Sequence, residues 1–81
     1  MRIVWDERKR QINLRNRALD FADLGEEFFV DAIVVPARLD RFKAIGMFGD
    51  QPHAVIFKPL GSEALSIISM RRASTRERRL L

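Results

Sequence analysis

The chain of 81 residues carries 15 Lys and Arg residues against 11 Asp and Glu residues, a formal net charge of +4, with one His and no Cys. This length allows a single small domain, residues 1–81, and the missing Cys and single His exclude a disulfide framework and the usual Cys/His zinc site. No apolar run reaches the roughly 20 residues of a membrane helix and no signal-peptide pattern follows the basic start, so we expect a cytoplasmic protein without a membrane segment.

The first part of the sequence predicts a strand followed by two helices. Residues 3–5 form a short apolar strand, and Asp6 is a good N-cap for a helix over 7–18. That helix carries a narrow apolar stripe on an otherwise mostly basic surface. The stripe consists of Ile12, Leu14, Ala18 and Leu19. Asp20 is placed to cap a second, shorter helix. The core-facing residues of this second helix are Phe21, Leu24 and Phe28.

After Phe29 the period changes to that of extended chain, and a β-meander is predicted. Residues 32–35 form an apolar strand that ends at Pro36, which is typical of an edge strand. Residues 41–48, 53–57 and 64–70 form three further strands, separated by turns at 49–52 and 59–62. In the last strand Leu65, Ile67 and Ser69 should face opposite to Ser66, Ile68 and Met70.

Residues 74–77 match a capping box, with Ser74 and Glu77 at its two ends, and predict a C-terminal helix. The order of elements therefore predicts an α+β fold. It consists of an N-terminal strand, two helices, an antiparallel β-meander and a short C-terminal helix, with the helices on one face of an antiparallel sheet.

The positive charge is concentrated at both ends of the chain. Residues 1–17 contain six basic and two acidic residues, residues 71–81 contain five and one, and the segment between them contains four and eight. Twelve of the fifteen basic residues are Arg, whose planar guanidinium grips phosphate with two hydrogen bonds and stacks on bases. This bias favours an anionic partner, nucleic acid first. Solvated basic surfaces without a ligand are the alternative.

The sequence lacks the common hydrolase motifs: a Cys nucleophile, a Gly-x-Ser-x-Gly elbow, a Walker loop and a dinucleotide fingerprint. The single His, His53, follows a Pro in a predicted hairpin turn, and we interpret it as a surface turn residue. Trp5 and the Phe residues are interpreted as core residues rather than as platforms for base stacking.

Basic residues fall where the predicted elements converge. Arg41 begins a strand, Arg71 and Arg72 follow the end of another, and Lys9 and Arg10 lie in the first helix. Such cations hold an RNA backbone and stabilise a pentacoordinate phosphate. RNA brings its own nucleophile in the 2′-hydroxyl, so cleavage needs neither a metal nor another cofactor.

Few side chains in this arrangement are able to carry a proton. The candidates are Lys9, His53 and Glu77, with a neighbouring side chain held by an Arg as the alternative. For each basic residue, a solvated surface position or an ion pair is the alternative role.

Several stretches resemble the BrnT family of type II toxin–antitoxin ribonucleases. Trp5 to Lys9 with Asn13-Leu14-Arg15 resembles the family's "WDxxK…NLR" opening, and Asp20-Phe21 resembles its "SFEEA" segment. Arg41 to Gly46 resembles the "RxxxxG" strand, and Ser66 to Ala73 with Glu77 resembles "RIISARRA…E". The resemblance implies a compact fold similar to RelE toxins, an RNA substrate and neutralisation by a cognate BrnA-type antitoxin. It is also compatible with a homodimer inside that complex, in which the edge strand at 32–35 forms the contact between the two copies.

Residue by residue, the resemblance implies three catalytic cations: Lys9, Arg41 and Arg71. Further RNA-binding residues are Arg10, Arg15, Arg17 and Arg72, and Glu77 also belongs to a matched motif.

The chain departs from the family pattern at Asn16-Arg17-Ala18, where the family usually has Lys-His-Gly, and also at Ser66 and Leu80. Ala18 replaces a helix-ending Gly, so the first helix is expected to run longer or to end differently. The leading hypothesis is a metal-independent ribonuclease toxin. The alternatives are a binding module that has lost catalysis with the Lys-His pair, and a protein-interaction domain that binds no nucleic acid.

Overall fold

The structure, a computed structural model, describes residues 1–81 as five strands, three α-helices and one turn of 3-10 helix. In chain order the elements are β1 (Arg2–Trp5), α1 (Glu7–Arg17), the 3-10 turn (Phe21–Asp23), α2 (Glu26–Val30), β2 (Ile33–Pro36), β3 (Phe42–Phe48), β4 (Gln51–Leu60), β5 (Ala64–Arg72) and α3 (Thr75–Arg78). The predicted α+β class is confirmed. None of the helices combines the length and apolarity that a bilayer crossing requires.

The five strands form one sheet in the order β1-β5-β4-β3-β2. Strands β2 to β5 pair antiparallel with their sequence neighbours, as the meander predicts, and β2 lies at one edge. Strand β1 instead pairs parallel with β5, with Trp5 opposite Ile67. The expected antiparallel sheet is therefore a mixed one. The last strand, β5, lies beside the first, β1, and the two run in the same direction.

The single second helix of the prediction is two short elements. Asp20 does act as a cap, but it caps the 3-10 turn by accepting a hydrogen bond from the backbone N–H of Ala22. Leu24 and Gly25 then have extended backbone, and α2 begins at Glu26. The three predicted core side chains, Phe21, Leu24 and Phe28, are nevertheless all buried. The sequence did not reveal the interruption at Leu24 and Gly25, because the buried apolar residues keep the spacing of one continuous helix across it.

The core lies between the sheet and the segment that runs from the 3-10 turn to α2. Nine buried side chains form one cluster, and Trp5 and three Phe residues pack against it, as predicted. The nine are Phe21, Leu24, Phe28, Ala44, Val55, Phe57, Leu65, Ile67 and Met70. Helix α2 packs closely on β3 at Gly46, where a Cβ atom would lie 3.2 Å from the carbonyl oxygen of Phe28.

A β-bulge changes the side-chain pattern of β5. Phe57 pairs with Ile67, whereas the preceding Ile56 pairs with Ser69, so Ile68 is the extra residue. Met70 therefore joins Leu65 and Ile67 in the buried core instead of facing away from them. The predicted strict alternation across this strand was wrong because a bulge reverses it.

Helix α1 is held to the sheet by a polar side chain. Its one buried residue is Asn13, while Ile12 is 46% exposed. Of the predicted apolar stripe, Leu14 is half-buried and Leu19 packs against the core, whereas Ile12 and Ala18 are exposed. The expectation that Ala18 lengthens the helix or changes its end was wrong: α1 ends at Arg17, and Ala18 caps it in the left-handed backbone that a Gly adopts at such a position, with φ of 58° and ψ of 30°.

Helix α3 lies on the face of the sheet opposite α2. Glu77 of α3 contacts Lys43 and Arg71, which alternate along their strands with the core residues Ala44 and Met70. The prediction that all helices share one face was therefore wrong for α3. The capping box that starts α3 is confirmed: Ser74 Oγ accepts from the backbone N–H of Glu77, and Glu77 Oε1 accepts from that of Ser74.

Candidate functional site

A buried carboxylate holds two cations on the α3 face of the sheet. The Glu77 side chain is only 6% exposed and accepts two hydrogen bonds from the Arg71 guanidinium, at 2.7 and 2.8 Å. Lys43 Nζ lies 2.7 Å from the same carboxylate. We refer to Lys43, Arg71 and Glu77 as the cation cluster. Its geometry follows from the sheet, which places β3 and β5 on either side of β4.

The hydrogen bonds of the cation cluster keep Glu77 and Arg71 charged. The Arg71 hydrogen bonds, followed by those of Lys43 and the Ser74 backbone, hold the pKa of Glu77 far below its usual range in spite of burial. The Glu77 hydrogen bond raises the pKa of Arg71 in turn. Of the three candidate proton carriers, Glu77 therefore remains ionised, and its geometry suits the orientation of Arg71 rather than proton transfer.

Arg71 is fixed on one side and open on the other. Its guanidinium uses two nitrogens on Glu77, yet its side chain is 32% exposed. Arg41 lies two residues before Lys43, where the chain enters β3, and its side chain makes no hydrogen bond or ion pair within the chain. The α3 face thus presents an oriented guanidinium beside further positive charge.

A cleft of about 200 Å³ opens between α1 and the bulge of β5. It is lined by Lys9, Ile12, Asn13, Asn16, Arg17, Ile68 and Ser69, and we call it the α1–β5 cleft. Lys9, Asn16 and Arg17 are exposed, and their side chains make no hydrogen bond or ion pair within the chain. The cleft therefore offers polar groups that are free to bind a ligand.

The α1–β5 cleft and the cation cluster adjoin along β5. Ser69 lines the cleft, and Arg71 is two residues further along the strand on the same face. Two residues of a strand span about 6.6 Å. The structure thus places Lys9 in the cleft and Arg71 in the cluster, as neighbouring parts of one basic surface rather than in direct contact.

Arg10, predicted to bind RNA, is engaged in ion pairs. Its guanidinium donates to both carboxylate oxygens of Asp20, at 2.7 and 3.1 Å, and to Glu7 at 2.6 Å. The hydrogen bond from Arg10 lowers the pKa of Asp20, and that of Asp20 raises the pKa of Arg10. Arg10 thus braces α1 against the 3-10 turn. The exposed cations among the predicted RNA-binding residues are Arg15, Arg17 and Arg72.

The interpretation of His53 as a surface turn residue was wrong. His53 is 4% exposed and lies within β4, which begins two residues earlier at Gln51. Its Nδ1 is 2.9 Å from the carbonyl oxygen of Gln51. A carbonyl oxygen only accepts, so Nδ1 carries the proton. The ring also packs edge-on against Phe48.

Two residues of this surface were missed from the sequence: Lys43 and Asn13. The signal for Lys43 was its alternation with Arg41 along one strand. Asn13 lies within a matched motif, but its hydrogen bond with the backbone N–H of Met70 forms only once the chain has folded. No group of three or more His, Cys, Asp or Glu side chains is arranged to hold a metal ion.

Comparison with known proteins relates this chain to one family. The family model described as "Ribonuclease toxin, BrnT, of type II toxin-antitoxin system" matches residues 5–77. Among solved structures, the chain is similar to the Brucella abortus ribonuclease toxin BrnT, determined at 1.1 Å resolution. The two are 59% identical, the match covers 93% of this chain and 99% of that chain, and the TM-score is 0.86. A comparison with curated proteins finds no match.

Proposed function

The chain belongs to the BrnT family of ribonuclease toxins of type II toxin–antitoxin systems, and on that premise we propose that it cleaves RNA without a metal ion. Arg71 and Arg41 act at the reacting phosphate, and Lys9 binds the neighbouring stretch of backbone. The observation that carries the proposal is the rigid orientation of Arg71 by Glu77 on an exposed basic surface.

The proposed chemistry uses the substrate's own nucleophile. The 2′-hydroxyl loses its proton to solvent water and its oxygen bonds to the adjacent phosphorus. The bond from phosphorus to the 5′-oxygen breaks, and the leaving 5′-oxygen takes up a proton from solvent water. The products are a 2′,3′-cyclic phosphate and a free 5′-hydroxyl. Negative charge builds up on the phosphoryl oxygens in the transition state, and an Arg that is already oriented stabilises it without reorganisation.

The proposal assigns two contacts to protein partners. A cognate antitoxin of the BrnA type covers the basic surface around Arg71 and so blocks access of RNA. The edge strand β2, whose Ile33 and Val34 side chains are exposed, supplies a surface for a second copy within that complex.

Cleavage of a labelled RNA by the purified chain tests the proposal, with and without EDTA. We expect EDTA to change the rate less than about twofold, and a 2′-O-methyl group at the cleaved position to block the reaction. Loss of cleavage in EDTA, restored by a divalent metal, would refute the metal-independent mechanism. RNA binding with no cleavage under either condition would instead support a binding module that has lost catalysis.

A further inference from the structure

We propose that the α1–β5 cleft is a subsite that takes one base of the RNA and the phosphates on either side of it. This inference rests on the proposed function, because it assigns part of the same substrate to a second place on the surface. It concerns RNA-sequence preference rather than the chemical step.

The cleft owes its shape to the bulge in β5. Strand β1 ends opposite Ile67, so no strand covers the edge of β5 beyond that point. The extra residue, Ile68, lines the cleft, and Ile12 of α1 also lines it. Two branched apolar side chains on two different elements make a slot that suits the flat face of a base. Ile12 is 46% exposed, and a base in the slot would cover it.

Polar groups lie where a base edge and a backbone would meet them. Residues 9, 12, 13 and 16 recur at the spacing of one helix face, so Lys9 and Asn16 border the same opening as Ile12. The exposed Asn16 amide and the Ser69 hydroxyl supply both donors and acceptors for a base edge. The Asn13 amide forms the floor and is already used by Leu19 and Met70, so it is not available to a ligand.

Two free cations mark the two ends of the cleft. Lys9 and Arg17 are eight residues apart on α1, which is about 12 Å along the helix axis. A base inserted between them places one flanking phosphate near each cation. Neither cation has an ion pair to break, in contrast to Arg10, which is held by Asp20 and Glu7.

The size of the cleft is consistent with this occupant. At about 30 Å³ for each water in the liquid, 200 Å³ corresponds to roughly seven waters. That is room for a group of the size of a nucleobase with its phosphates at the mouth, and not for a folded RNA element. The cleft thus fits one unstacked nucleotide of a single strand.

The test measures binding separately from cleavage. Fluorescence anisotropy is recorded with four labelled 2′-O-methyl hexamers, one for each base, which lack the 2′-hydroxyl and so are not cut. We expect Lys9→Ala and Arg17→Ala each to weaken binding of all four about tenfold and to reduce the salt slope by about one. The matched control is Arg8→Ala, an exposed Arg of the same helix outside the cleft, with an expected change below about threefold.

Asn16→Ala tests base recognition directly. We expect the ratio between the best-bound and worst-bound hexamers to fall at least about fivefold. All these positions are exposed, and thermal melting verifies that the variants keep the fold.

The inference is overturned if Arg17→Ala behaves like Arg8→Ala, or if Asn16→Ala leaves the ratio unchanged. It is also overturned if poly-glutamate displaces a hexamer as well as unlabelled RNA does, since the cleft is then a site for acidic protein segments. The two proposals fail separately. Cleft-dependent hexamer binding without any cleavage of unmodified RNA refutes the proposed function alone, and cleavage without cleft-dependent binding refutes this inference alone.

Discussion

The side chain of Asn13 and the backbone of Met70 are joined by a hydrogen bond, although 57 positions separate them in the sequence. Met70 donates its backbone N–H to Asn13 Oδ1 at 3.1 Å, and Asn13 Nδ2 donates to the carbonyl oxygen of Leu19 at 3.0 Å. Because β1 ends opposite Ile67, the Asn13 amide takes the place of a strand partner further along β5. One polar side chain thereby docks α1 and forms the floor of the α1–β5 cleft.

Asn13→Ala should be among the most destabilising single changes in α1. It leaves the buried Met70 N–H without an acceptor and the Leu19 carbonyl oxygen without its donor. We expect the free energy of unfolding to fall by about 2 to 3 kcal/mol. Urea unfolding followed by circular dichroism measures this. Asn16→Ala, an exposed residue about one turn further along the same helix, is the control and should change stability by less than about 0.5 kcal/mol. Equal losses for the two variants would contradict the role given to Asn13.

Glu77 should make stability depend on pH at the acid end. Its folded-state pKa lies far below its ordinary value of 4.5, so the ionised form favours the folded protein. That contribution is fully present above about pH 4.5 and is lost as the pH falls toward the folded-state pKa. Glu77→Gln should therefore cost about 2 kcal/mol at pH 7 and less at pH 3.

Unfolding midpoints between pH 7 and pH 3 check this expectation. Glu63→Gln, an exposed side chain without an ion pair, should follow the parent at every pH. If Glu77→Gln lost stability in parallel with the parent on acidification, the ion pairs of Glu77 would not be the source of the pH dependence.

Ala18→Gly should stabilise the protein. Ala18 has φ of 58°, a conformation that costs an L residue about 1 to 2 kcal/mol. The greater freedom of Gly in the unfolded chain lowers stability by about 0.4 to 1 kcal/mol, so the free energy of unfolding should rise by a net amount of about 0.5 to 1 kcal/mol. A rise in Tm of roughly 3 °C is the expected readout. Ala22→Gly, where φ is not positive, should lower Tm instead, and a lower Tm for both would contradict the account.

Local signals predicted much of this fold correctly. The caps at Asp6, Asp20 and Ser74 depend on neighbours within three residues, and each makes its expected hydrogen bond. The strands of the meander followed from alternation and from turn residues such as Gly49. Errors arose where distant contacts decide the outcome. The bulge at Ile68 and the burial of His53 depend on the register between β4 and β5, which no short window of sequence contains.

The candidate site was predictable in part for the same reason. Lys9, Arg41 and Arg71 came from matched motifs, and the structure gives Arg71 its orientation through Glu77. Lys43 is 34 residues before Glu77 in the chain and meets it only because α3 crosses to the other face of the sheet. The α1–β5 cleft exists only because β1 stops short of the bulge. Neither the contact of Lys43 with Glu77 nor the cleft can be predicted from a short window of sequence.

The rate of RNA cleavage by purified Arg71→Lys tests the central claim most directly. Lys keeps the charge but cannot make the two parallel hydrogen bonds that orient the guanidinium on Glu77. We expect the rate to fall about 100-fold with the fold retained. Arg79→Lys, an exposed residue of the same charge at the end of α3, should cleave at the parent rate. Cleavage by Arg71→Lys at the rate of the parent would contradict the claim that an oriented Arg71 stabilises the transition state.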